Sequence, residues 1–221
     1  MPRALSEQEI EAFRADLCRV AERLFAENGF DGVTMRALAN ELGCSPMTPY
    51  RYFENKEAIL AAVRTEAFVR QGVRTEKAAL EHRDPEDRLR AFAKTYVAFA
   101  RDEPHAYRIM FSLSASTDLG STLRDPETRG DVLRGWTPLV SVMEELVDSG
   151  RAFGDPIDLA HLAWVMLHGL VTLELSNKFL LGRDLDQLIR PAVETFLRGI
   201  GAPPNSSDPG EHHVPPRDDD A

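Results

Sequence analysis

The sequence predicts an all-α protein. Three observations carry that reading. Apolar residues recur at spacings of three and four, the period of one buried helix face, and almost nowhere alternate as a half-buried strand would. Four acidic-proline pairs, Asp84-Pro85, Glu103-Pro104, Asp125-Pro126 and Asp155-Pro156, each combine an N-capping side chain with a proline in the first turn. Glycines and asparagines fall just after the periodic stretches, where helices stop.

The elements follow in order. Ile10, Phe13, Leu17, Val20 and Leu24 mark one face of a first helix; Asn28-Gly29 ends it, and Phe30 folds back as the apolar partner of the glycine cap. Thr34 caps a short second helix over Met35 to Leu42, stopped by Gly43. Ser45 and Pro46 open a third, closed by Phe53 against the core. Pro49 sits at its fourth position and lacks the N–H of the first intrahelical bond, so an irregular start is expected. Asn55 caps a long fourth helix with Ile59, Leu60 and Val63 on its inner side. Beyond roughly residue 80 come helices through Leu89–Phe99, Tyr107–Phe111 and Leu133–Val147, the last as a single helix from Asp125-Pro126 to Ser149-Gly150. Residues 112–125, rich in Ser, Thr and Gly, read as a loop. Ile157 to about Leu175 is apolar nearly all round, and Asp184 starts a final helix ending near Gly199 and bent by Pro191. The segment from Ala202 onward, APPNSSDPGEHHVPPRDDDA, is expected to be disordered. The expected domains are 1–55, 56–201 and an acidic tail, 202–221.

Bulk properties narrow the function. At 221 residues the chain can bury a substantial core. No apolar run is seen to reach the roughly 20 residues of a bilayer span, and the first residues lack a signal-peptide core. No membrane partner is therefore expected. Two cysteines, Cys18 and Cys44, without a CxxC pair, suit buried thiols in a reducing cytoplasm. No HExxH, GxSxG, P-loop or GxGxxG is present, so no catalytic residue and no cofactor are expected. His161 and His168 lack the further ligands a metal site needs, and His212-His213 read as a solvated pair. The net charge of −10 argues against a general nucleic-acid binder. Even residues 1–60 carry seven Lys/Arg against ten Asp/Glu. Any contact with DNA must come from a small surface with its acids turned away, and Glu54 lies close to it.

That surface is the stretch from Thr34 to Lys56. Two short helices joined by a glycine turn, the second bearing a hydroxyl, two tyrosines and an arginine, suit a helix laid into the major groove of double-stranded DNA. Leu24-Phe25-Ala26-Glu27-Asn28-Gly29-Phe30, Thr34-Met35-Arg36-Ala37-Leu38-Ala39, Tyr50-Arg51-Tyr52-Phe53 and Lys56-Glu57 together resemble the TetR family of transcriptional regulators. The likeness runs without a gap over roughly residues 10–60. In the C-terminal half, Trp164 to Gly169 resembles the WxxxHG signature of one subclass of that family. The resemblance implies a three-helix helix-turn-helix DNA-binding domain followed by a helical ligand-binding and dimerisation domain. Pro49 departs from it, standing where an aliphatic residue usually packs.

By family position, Thr34 and Lys56 hold phosphates at the two ends of the motif. The chemistry agrees: Thr34 offers a hydroxyl beside helix N-terminal amides, and Lys56 places a cation where the helix dipole disfavours it unless an anion is near. The plainer alternatives are a capping threonine and a solvated lysine. Tyr50 and Tyr52 cannot share one face; either both reach phosphate or sugar, or one packs. Ser45, Pro46, Met47, Thr48 and Arg51 fall to base reading, Arg51 as a guanine fork, a phosphate clamp or a partner of Glu54. Arg36 reaches backbone or a base edge. Tyr96, Phe99, Tyr107, Met110, Phe111, Trp136, Met143, Trp164 and His168 either line an effector cavity or fill the core. The last two helices are expected to build a homodimer and so present two recognition helices to a palindromic operator. The resulting expectation is a repressor released by an unidentified small-molecule effector, which shifts the fourth helix. Other expectations are an activator, an effector-independent regulator, and a helical interaction module without DNA binding.

Overall fold

The computed structural model describes residues 6–111 and 126–201, with the side chains of 126–128 excepted. The loop read over 112–125, the cap at Asp125, the tail from Ala202 and the His212-His213 pair lie outside the described residues. Among the described residues every regular element is a helix. In chain order these are α1 (Glu7–Gly32), α2 (Met35–Glu41), a 3-10 turn (Pro49–Arg51), α3 (Lys56–Leu80), α4 (Pro85–Asp102), α5 (Pro104–Met110), α6 (Pro126–Leu133), α7 (Thr137–Asp148), α8 (Pro156–Leu175) and α9 (Leu185–Ile200).

The helix starts follow local chemistry. Thr34, Asn55 and Asp184 each accept a hydrogen bond from the amide three residues on, and Asp84 and Asp155 each accept two first-turn amides behind a proline. Ser6 adds a reciprocal capping box with Glu9 at the head of α1. Glu103 and Trp136, ahead of α5 and α7, are exceptions: neither side chain makes a cap, and the Glu103 carboxylate instead receives Arg70 and Arg74. Within α1, Gly29 takes φ 72°, ψ 166°, so the regular helix breaks where Asn28-Gly29 predicts. Phe30 then folds inward against Phe25, ring centroids 5.7 Å apart.

Three expectations need correction. The helix expected from Pro126 to Ser149 is two helices, α6 and α7, separated at Arg134-Gly135-Trp136. Gly135 lies against Gln71 and Gly72 of α3 so closely that a side chain there would meet the Gln71 amide oxygen. Pro138, in the first turn of α7, has no N–H with which to continue the earlier helix. The third helix is not α-helical: Ser45 to Thr48 form turns, followed by the single 3-10 turn. Finally, α8 is long and apolar enough, by length and composition alone, to cross a membrane, which counting uninterrupted apolar runs misses. It packs on α4, α7 and α9 and carries Asp158, His161, His168 and Glu174. α9 continues through Pro191, which is exposed.

Two cores meet on α3. Leu17, Phe25, Phe30, Leu38, Phe53, Ile59, Leu60 and Val63 build the N-terminal one. Ala67 and Phe68, one turn further along the same helix, belong to the larger C-terminal core with Phe92, Phe99, Leu139, Met143 and Leu167. Ile109 of α5 is the exception in chain order. It packs in the N-terminal core while its neighbours Tyr107 and Met110 pack in the C-terminal one. Cys18 is buried in the first core; burial and the adjacent Glu66 push its thiol up to about 12, so it stays protonated and unreactive.

Candidate functional site

The N-terminal surface is built by fixing an irregular segment to a rigid helix pair. α2 ends at Glu41 with Leu42 as its cap, and Gly43 takes φ 66°, the left-handed turn that favours glycine. The Cys44 amide bonds the Ala39 carbonyl at 3.0 Å and holds the segment that follows. Pro49 is buried and supplies no N–H. Its carbonyl instead accepts from both Tyr52 and Phe53, each at 3.0 Å, tightening the chain into the 3-10 turn. Tyr52 stacks on Phe13 with centroids 4.4 Å apart, and Arg14 donates to the Tyr52 carbonyl at 2.7 Å while covering the Phe53 ring. The two tyrosines thus part company: Tyr52 packs half-buried, whereas Tyr50 is 48% exposed.

Thr34, Arg36, Ser45, Pro46, Met47, Tyr50 and Arg51 are all exposed, and Thr48 is half-buried. Thr34 Oγ1 accepts the Ala37 amide at 3.1 Å, so its oxygen is engaged as a cap while its hydroxyl proton remains for an acceptor. Met47, 67% exposed, presents a thioether to solvent. Lys56 is half-buried: Nζ donates to the carbonyls of Phe30 and Val33 at 2.7 and 2.8 Å and lies 4.0 Å from the Phe30 ring centre. An ammonium has three N–H donors, so one remains. Lys56 therefore ties the break after α1 to the start of α3, a role its place in the sequence does not reveal. Arg14 was likewise absent from the expected residues, and nothing in its sequence context marks it.

The second site lies among α4, α5 and α8. Tyr107 Oη stands 2.8 Å from His168 Nδ1 and 3.1 Å from Tyr96 Oη, and Trp164 Nε1 donates to Tyr96 Oη at 3.2 Å. Donor and acceptor capacity allows this chain two directions. Indole N–H can only donate, so Tyr96 accepts from Trp164; in one direction it passes its own proton to Tyr107, which donates to His168 Nδ1. The imidazole is then neutral, with its proton on Nε2, 3.5 Å from Thr172 Oγ1. In the opposite tautomer the Tyr107 bond reverses, and Tyr107 Oη, with two lone pairs, accepts from both His168 Nδ1 and Tyr96. Burial also holds His168 below the ordinary imidazole range, and pushes Tyr107 up to about 12.

Two spaces adjoin this chain. One, about 30 Å³, lies between Tyr96, Met110, Phe111, Trp136 and Trp164 and has room for about one water. The other, about 340 Å³, opens beside Tyr107, Arg108, Phe111, His168, Thr172, Leu175 and Ser176. Phe99 and Met143, expected as cavity-lining candidates, are fully buried and border neither space. Phe99 instead carries the Arg74 guanidinium on its outer side. Sequence reading missed Arg108 and Thr172; Thr172 lies one helical turn beyond His168, so the period of α8 points to it. Among the described residues no cluster of His, Cys, Asp or Glu has the makings of a metal site.

A glycine-turned pair of short elements on a three-helix unit, joined by one long helix to a larger helical domain, defines a helix-turn-helix transcriptional regulator. The comparisons agree. Residues 17–63 match the family model of bacterial regulatory proteins of the tetR family, and residues 89–196 that of the tetracyclin repressor-like C-terminal domain. The HTH-type transcriptional regulator UidR of Escherichia coli is 34% identical over 55 residues, 25% of this chain and 28% of that protein. An uncharacterized HTH-type transcriptional regulator of Mycobacterium tuberculosis is 30% identical over 100 residues, 45% of this chain and 50% of that one. The matched stretches thus span half or less of these curated relatives. A solved structure of a protein of unknown function from Rhodococcus sp. RHA1 superposes with a TM-score of 0.73 at 25% identity, covering 91% of this chain and all of that one. A TetR family transcription regulator from Marinobacter aquaeolei shares the fold, with a TM-score of 0.70 at 21% identity over 90% of this chain and all of that one. The chain belongs to the TetR family of transcriptional regulators.

Proposed function

We propose that this regulator is a homodimeric repressor, working in the cytoplasm, that leaves a palindromic operator when a small-molecule effector enters the cleft beside His168. The observation that carries the reading is the placement of α5. Ile109 is buried in the core of the DNA-binding unit, and its carbonyl accepts from Arg64 of α3 at 3.2 Å. Tyr107 and Phe111, at the same short helix, border the cleft. An occupant that moves α5 therefore moves α3 and the helix-turn-helix unit with it. Energetically the effector must bind the released arrangement more tightly than the DNA-bound one.

The dimer follows from α8. Ile157, Leu162, Val165 and Leu173 stand 55, 57, 57 and 40% exposed on a helix whose other side is core. Such an apolar outer stripe on a long helix is what a second copy covers in a two-chain helical bundle. Two recognition segments about 34–36 Å apart, or a multiple of that, then meet successive major-groove half-sites. In this reading Thr34, Arg36, Tyr50 and the free proton of Lys56 contact phosphates, with Tyr52 held to reach sugar or backbone. Ser45, Pro46, Met47, Thr48 and Arg51 read base edges.

Selection of bound DNA from a random duplex pool by the full chain at moderate salt tests the reading. A palindromic site bound by two chains is the expected result. Enrichment of no site, with and without compounds that fill the cleft, overturns it.

A further inference from the structure

We infer that the cleft beside His168 takes a small apolar carboxylate, an inference that rests on the reading of this cleft as the effector site. Its lining offers donors in Arg108, His168 and Thr172. Such a ligand takes the direction in which the Trp164–Tyr96–Tyr107 chain donates to His168 Nδ1, with the imidazole N–H on Nε2, beside the Thr172 hydroxyl at 3.5 Å. Arg108, exposed on α5, borders the same space and has no carboxylate partner among the described residues. None of the described lining residues is acidic; Glu174, the nearest acid along α8, is occupied by Arg101 at 2.7 Å.

An imidazole N–H, a hydroxyl and a guanidinium that line one space without an anion select a ligand rich in acceptors and negatively charged. A primary amine would face Arg108 and bring donors to donors. Phe111 and Leu175 supply the apolar wall that holds the remainder of the ligand. The volume, about 340 Å³, is at the small end of the range for ligand pockets and favours one short chain or one ring system over a nucleotide or a long acyl chain. The WxxxHG pattern then has a physical meaning, since its tryptophan heads the hydrogen-bond chain that ends on its histidine.

Fluorescence titration of the full chain tests this, because its two tryptophans, Trp136 and Trp164, both belong to the aromatic cluster and Trp164 stacks on His168. The probes are straight-chain carboxylates from acetate to dodecanoate, aromatic ones from benzoate to naphthoate, and the matching amides and primary amines. The expected result is saturable binding of short or single-ring carboxylates, tenfold or more tighter than their amides, with no binding of the amines. Arg108→Gln, at an exposed position, should weaken the carboxylate at least tenfold. His168→Leu should do the same, whereas His168→Gln, which keeps an N–H donor, should retain part of the affinity; circular dichroism confirms that each variant is folded. Tighter binding of amides or amines, or no binding of any carboxylate, overturns the inference. Release of the selected DNA by non-carboxylates alone would overturn it while leaving the effector reading intact. Carboxylate binding that leaves DNA affinity unchanged would support the site chemistry and overturn the effector reading.

Discussion

Replacing Lys56 by methionine removes two hydrogen bonds at once and keeps the apolar stem in place. The ammonium donates to the Phe30 and Val33 carbonyls at 2.7 and 2.8 Å. Hydrogen bonds to charged groups contribute about 1.5–3 kcal/mol each, and the half-buried setting of Lys56 puts these two at the low end. Two features soften the loss. The Phe30 carbonyl keeps the Val33 amide at 3.3 Å as a partner. A methionine sulfur can also restore about 0.3–1.5 kcal/mol on the Phe30 ring in place of the ammonium. The net expectation is a loss of about 2 kcal/mol. For a chain of this size that lowers Tm by about 4–8 °C, at about 2–4 °C per kcal/mol. Thermal unfolding followed by circular dichroism measures it. A Tm within about 1 °C of wild type would refute the clamp between the end of α1 and the start of α3. The same variant, titrated with its selected DNA over a range of salt, should show a slope lower by about one if the remaining N–H meets a phosphate. An unchanged slope beside the lower Tm assigns Lys56 to structure alone.

Other substitutions bear on separate parts of the molecule. Gly135→Ala forces a methyl onto the buried Gln71 amide and should cost about 1–3 kcal/mol, read as a lower urea midpoint with unchanged m. Val165→Glu sets a charge in the outer apolar stripe of α8; sedimentation should show a monomer, and affinity for the palindromic site should collapse, whereas a variant that remains dimeric refutes the assigned interface. For His168 the sign follows from burial, which holds the folded imidazole below its ordinary value. The folded state then binds fewer protons than the unfolded one, so the contribution is whole above about pH 6.5 and declines as pH falls below it. The facing groups are Tyr96, Tyr107, Thr172 and the cation Arg108, none of which supplies a compensating anion. The stability difference between wild type and His168→Gln should therefore narrow between about pH 6.5 and 5; a difference that widens on acidification would contradict the proton count.

Helix starts were legible because capping is local: Asn55, Asp84, Asp155 and Asp184 each satisfy amides two or three residues away. The break between α6 and α7 was not, since it depends on Gly135 meeting Gln71 from a helix more than sixty residues earlier in the chain. Pro49 announced an irregular recognition segment, but the extent of the change turns on its ring being buried and its carbonyl accepting two amides, which are tertiary facts. The aromatic cluster was legible as a set of residue types, not as a site. Phe99 and Met143 have the same composition as the residues around the cleft, yet face a filled core. Arg108 looks in the sequence like any exposed helical arginine; only the fold places it at the space beside His168.

The acidic character of the chain sharpens what the DNA-binding unit must do. A protein of net charge −10 gains little from long-range attraction to DNA, so its affinity must rest on a few well-placed contacts. Placement of that kind requires a rigid support, and the ionic links around α5 provide it. Glu103, at the head of α5, receives Arg70 at 2.7 Å and Arg74 at 2.5 Å, and Arg70 continues to Glu22 of α1 at 2.6 Å. α1, α3 and α5 are thereby fastened at the end of α5 away from the cleft, while Tyr107, Arg108 and Phe111 meet the cleft further along the same helix. An effector of the kind proposed would not need to unfold or displace a domain. In the proposed mechanism, a small tilt of one seven-residue helix, anchored at Glu103 and seated through Ile109 in the core beneath the helix-turn-helix, would change the aim of contacts too few to tolerate misplacement.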